Sequence, residues 1–147
     1  MAATLVGELA ALMDMLNDTS IQIVAHLGKN AIPSGVETIT PDQLVECDFP
    51  GYEPIPLNDW RPIFLDDENY GEADAGEVEW SAGAITVPQN ITCVYVSMQK
   101  EDDDPQVWNI IVLPEPEMMT HAGDLFWFSF RAQSANLDAL PDVDGDA

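Results

Sequence analysis

The residues that could do chemistry in this sequence are two histidines, two cysteines and an abundance of carboxylates. His26 lies in the alternating run SIQIVAHL and His121 in the turn-forming THAGD, neither with partners at the spacing a metal site needs. Each reads as a histidine satisfied within the fold. In a chain made in a reducing compartment, Cys47 and Cys93 read as two separate buried hydrophobes rather than a disulfide. In DVDGD, Asp142, Asp144 and Asp146 resemble the opening of a calcium loop, but Gly145 is out of register for one. That segment reads as solvated, as does the acidic loop carrying Asp66, Asp67, Glu68, Glu72 and Asp74. Catalysis would need a nucleophile with its base, a poised acid pair or a metal, and nucleotide chemistry a glycine-rich phosphate loop; no such motif is present. The expectation is a protein that is not an enzyme, with no catalytic, cofactor or metal residues.

Charge narrows the partners. Against 27 acidic residues stand only Lys29, Arg61, Lys100 and Arg131, a formal net charge of −23 over 147 residues. Four scattered cations make no stripe for phosphates, so direct nucleic-acid binding is not expected. The polyanion suits docking on a basic protein, imitation of DNA or adaptation to high salt, besides the plain reading of a soluble acidic domain. No apolar run is long enough for a membrane helix, and MAATLVGELA lacks the basic flank of a signal peptide.

These residues are positioned by one helix and then strands. Leu5, Leu9, Leu12, Met13 and Leu16 repeat at helical spacing, with Thr4 to cap the start, which predicts an amphipathic helix over about residues 4–17. SIQIVAHL predicts a strand with Ile21, Ile23, Ala25 and Leu27 on one face, and Thr40, Pro41 and Gln43 a short capped turn. The prolines of DFPGYEPIPLNDW suit an edge strand or an extended crossing segment. Residues 61–76 read as acidic loop. EVEW, AITV, ITCVYVSM, VWNIIVL and LFWFSF then read as short strands between turn clusters, with KEDDDPQ a charged hairpin tip. The predicted fold is mainly β: an antiparallel β-sandwich or jelly-roll-like domain over residues 1–132 with an N-terminal amphipathic helix, followed by a weakly ordered acidic tail over 133–147.

The order of IVAHLGKNAIP, LVECDFPGYEPIPLNDW, VEWSAGAITVPQNITCVYVSM, VWNIIVLPEP and THAGDLFWFSF resembles that of small virion structural proteins of tailed bacteriophages. The resemblance spans the chain apart from its tail and rests on the shared order of individually weak motifs. The charge departs from it, being more acidic than the family. It implies a capsid decoration (cement) protein that binds the coat lattice, or a tail, neck or fibre component, assembled in the host cytoplasm and located in the virion. The partners implied are the major capsid protein or another virion protein and further copies of the chain, a trimer being one arrangement.

LFWFSF is the most apolar run, and alternation puts Phe126, Phe128 and Phe130 on one face and Leu125 and Trp127 on the other. The first set fits a core; the second meets the helix or a neighbouring subunit. Candidate interface residues are Phe49, Pro50, Tyr52, Pro54, Ile55 and Trp127, together with Met1 to Thr4, because stiff extended segments lose little entropy on docking. An ordinary surface connection accounts for FPGYEPIPL equally well. Two other classes remain open. One is a glycan- or receptor-binding module, with Tyr70 as its exposed aromatic; the other is an acidic DNA mimic.

Overall fold

The computed structural model of the chain describes residues 5–32, 39–64 and 70–135. Expectations for Met1 to Thr4, for the acidic residues 66–68, for the Tyr70 side chain and for the 136–147 tail with its DVDGD segment lie outside what is described. The protein is mainly β, with two antiparallel sheets and one helix near the N-terminus, as the periodicity predicts. Its residues group into two compact units: 1–18, 58–77 and 129–147 in one, 19–57 and 78–128 in the other.

In the first unit, α1 (Leu5–Leu16) buries Leu16 and half-buries Leu12 and Met13, the stripe expected from their spacing. The helix ends where the Asn17 amide turns to the chain ahead of the first strand of this unit. Asn17 Oδ1 accepts from Trp60 N at 3.1 Å, and Asn17 Nδ2 donates to Trp60 O at 3.3 Å. This two-way bond satisfies backbone groups on a segment that has no ladder of its own.

Strands replace loop in part of the acidic stretch. In chain order the strands are β1 (Ile21–Gly28), β2 (Ile55–Pro56), β3 (Arg61–Phe64), β4 (Tyr70–Ser81), β5 (Gln89–Lys100), β6 (Gln106–Met119) and β7 (Leu125–Ala135). The expectation of loop over 61–76 is corrected: β3 pairs antiparallel with β4 from Arg61↔Asp74 to Phe64↔Gly71, in a sheet of order β3-β4-β7. Ladder partners supplied by the fold override the poor strand propensity of Asp, Glu and Gly. AITV is corrected in the opposite sense, since Ala84–Val87 form no strand and Val87 is exposed.

The second unit is built on a four-stranded sheet of order β2-β1-β5-β6. β1 meets β5 in an unbroken register from Ile21↔Lys100 to Gly28↔Cys93. Ile23, Ala25 and Leu27 are buried as the alternation predicts, and Val94 and Val96 of β5 are buried too. The other side of β5 gives Cys93 and Tyr95 to a cluster with Ile39 and Leu44 from the 29–57 connection. Within that connection Pro41–Gln43 make a 3-10 turn in which Gln43 Oε1 accepts from Thr40 N at 2.9 Å. Its proline-rich part ends in β2, a two-residue edge strand on β1, as a segment short of N–H donors should. Glu101–Pro105 form the acidic tip between β5 and β6.

Candidate functional site

β7 begins from a turn held by one carboxylate. Asp124 Oδ2 accepts from Thr120 N at 2.8 Å, His121 N at 2.9 Å and Thr120 Oγ1 at 3.1 Å. These donors hold the Asp124 carboxyl below its usual pKa, the Thr120 amide contributing most. Gly123, at φ 87°, completes the turn and donates to Ala82 O at 2.8 Å, and Ala82 N donates to Asp124 O at 2.9 Å. From this fixed start the strand alternation separates the apolar residues as predicted. Phe126 and Phe130 are buried and Phe128 is intermediate, whereas Leu125 is 50% and Trp127 59% exposed.

β6 faces the same region with an irregular edge. Its register with β5 jumps from Cys93↔Val112 to Ile91↔Glu117, which skips Leu113 to Pro116, and shifts once more between Val96↔Asn109 and Ser97↔Val107. Such bulges bend a strand and re-aim its side chains. Leu113 and Glu117 of β6 and residues 125–128 of β7 line an open groove of about 380 Å³. Glu117 is its one charged residue among the described residues. The Glu117 carboxylate and the Trp127 indole have no hydrogen-bond or ion-pair partner among the described residues. Trp108, Ile111, Val112 and Met118 of β6 are also exposed. Among the described residues no strand pairs with β6 on the side away from β5.

The residues expected at an interface divide. Trp127, Pro50 and Pro54 are exposed and Ile55 is half-buried in β2. Phe49 is buried, with the half-buried Tyr52 ring edge-on at 5.3 Å. Those two aromatics anchor the proline-rich segment on its own unit. Trp80 Nε1 donates to Glu53 O at 3.0 Å and strengthens that anchor.

A polar cluster that sequence reasoning missed lies across β1 and β5. His26 Nδ1 lies 2.7 Å from Glu46 Oε2, to which it can only donate, and Nε2 lies 2.7 Å from Ser97 Oγ. The Tyr52 hydroxyl donates to the same Glu46 oxygen and accepts from Leu27 N at 3.1 Å. Tyr95 stacks on the imidazole at 4.6 Å. Burial, and then the Glu46 hydrogen bond, push the Tyr52 pKa well above the usual phenol range. Ser97, His26 and Glu46 have the nucleophile–base–carboxylate order of a hydrolase, and the chemistry also requires N–H donors aimed at a developing oxyanion. Ser97 instead lies mid-strand, paired with Val24 of β1 and Val107 of β6, where sheet ladders use such donors. The arrangement ties Glu46 and Tyr52 to the sheet.

His121 sits in the exposed turn with Nδ1 2.6 Å from Thr120 Oγ1. Cys47 and Cys93 are both buried and free, and burial pushes the Cys47 thiol up to about 12. Among the described residues there is no group of three or more His, Cys, Asp or Glu that could hold a metal, and no helix long and apolar enough to cross a membrane. No protein-family model, curated protein or solved structure matches the chain.

Proposed function

We propose that this protein is a virion structural protein, a decoration (cement) protein that binds an assembled coat lattice. The observation that carries the reading is the outward side of β7 and β6. A chain of net charge −23 keeps Trp127 and Leu125, both lining the groove, in contact with water, although its core takes Phe126 and Phe130 from the same strand. Exposed aromatic and aliphatic residues grouped around a groove are the usual anchors of a protein interface. The order of elements that resembles small phage virion proteins supports the same reading. A protein that binds assembled coat but not free subunits stabilises the assembly by mass action. The major coat protein is the proposed partner, further copies of the chain completing the decoration, and the virion its location.

Quantitative mass spectrometry of purified particles, with this chain counted against the major coat protein, tests the proposal. A copy number in fixed proportion to the coat is expected. A count matching one ring or fibre set would move the protein to the tail or neck, and absence from particles would overturn the virion reading.

A further inference from the structure

We propose that the groove between the β6 bulge and the start of β7 docks an arginine-bearing extended segment of a partner protein. The inference rests on reading the Trp127 surface as a contact and names the chemistry of what it contacts. Trp127 is 59% exposed and lines the groove, so a guanidinium entering it can stack on the indole. The Glu117 carboxylate, in the same groove and without a side-chain partner among the described residues, can receive that guanidinium through two parallel hydrogen bonds. Arginine fits both better than lysine, because its planar fork stacks and bonds at once. Leu113, Leu125 and Phe128 line the rest of the groove and suit the apolar neighbours of that arginine. The groove volume of about 380 Å³ matches a few side chains rather than a folded element.

Charge selects the occupant. A surface of net −23 speeds encounter with basic segments and repels acidic ones. A second copy is the poorer occupant: a two-fold contact places the same patch on both sides, so each Glu117 would enter an acidic partner's groove, at twice the formal charge. Of the cations such a copy could offer, Lys29 is already 2.7 Å from Asp48, and Arg61 is 3.4 Å from Asp59.

Fluorescence anisotropy of a labelled octapeptide alternating arginine and valine, titrated with the full chain, tests this. Lysine–valine, serine–valine and glutamate–valine counterparts serve as controls. The expected result is preference for the arginine peptide, weakened about tenfold by Glu117→Gln and by Trp127→Ala, whose melting temperatures stay at that of the parent. Equal binding by parent and variants would overturn the site, leaving surface charge alone as the cause. Equal binding of the serine peptide would overturn the guanidinium chemistry. Loss of arginine preference in a chain that is present in particles removes this inference alone. Absence from particles with the arginine preference intact removes the decoration reading alone.

Discussion

Trp127 and Phe126 are neighbours in one strand and separate two consequences of the same substitution. Phe126 is buried, its ring 6.1 Å from that of Trp80, so Phe126→Ala should cost about 3–5 kcal/mol in urea unfolding. Trp127→Ser removes a ring with no internal hydrogen bond among the described residues, and its unfolding midpoint should stay within about 0.5 kcal/mol of the parent. If Trp127→Ser were as costly as Phe126→Ala, the ring would belong to the core and the contact surface would lose its anchor. Tyr52 allows a test by pH. Its folded pKa is raised, so its contribution is complete below the ordinary phenol value near 10 and declines as pH rises above it. Cys47 has the same sign in a lower window, from its ordinary 9.0 towards about 12. Unfolding free energy should therefore fall between pH 9 and 11, and Tyr52→Phe should make the upper part of that fall shallower. An unchanged slope would show that burial and the Glu46 bond do not raise the hydroxyl's pKa in the folded chain.

Elements were legible from sequence where one chain segment decides its own state. The helix stripe and the β1 alternation depend on neighbours a few residues away, and the prolines of Pro54 and Pro56 exclude a central strand whatever else is present. β3 and the first half of β4 depend on each other, and acidic residues with glycine gave no local sign of the ladder between Arg61 and Asp74. AITV carries strand propensity, but its neighbours Ala82 and Gly83 are bonded to Asp124, Gly123 and Pro50 rather than to a strand. Alternation alone put Trp127 on the face opposite Phe126 and Phe130, without deciding whether the helix or a subunit covers it, whereas the groove also needs the β6 bulge opposite it. His26, Glu46 and Ser97 lie 20 and 71 positions apart, so no motif spacing could have joined them. The turn ahead of β2 is a tertiary constraint of the same kind. At Gly51, φ is +89°, and a Cβ would lie 2.8 Å from Ser81 O and 2.9 Å from Gly83 N, both backbone atoms unable to yield cheaply. Gly76 has a φ of +81° but nothing within 4 Å of its Cβ direction. Gly76→Ala should cost about 1 kcal/mol, for conformation alone, and Gly51→Ala distinctly more, because the close approach adds to it. Equal costs in urea unfolding would show that the chain around Ser81 to Gly83 moves aside freely.

At the scale of the whole molecule the dominant quantity is charge, and it acts on folding and on partner choice in different ways. Exposed acids such as Asp102, Asp103 and Asp104 at the β5–β6 tip repel one another in the compact state more than in the expanded chain. Salt screens this repulsion over a Debye length of about 10 Å at 0.1 M and 3 Å at 1 M. The melting temperature should thus rise with sodium chloride, steeply below about 0.3 M and little above 1 M, where screening is nearly complete. A guanidinium contact at Glu117 has the opposite salt dependence, since screening weakens attraction between chain and partner as it weakens repulsion within the chain. The two measurements therefore distinguish what the acidity serves. Stability rising with salt while arginine-peptide binding falls assigns the charge to partner selection, at a cost in folding that salt relieves. A melting temperature flat from 0.01 to 1 M would mean that the carboxylates are too dispersed to strain the fold. If the chain instead unfolded as salt was removed, and the arginine peptide bound equally at every salt concentration, the acidity would be an adaptation to high salt and would carry no recognition.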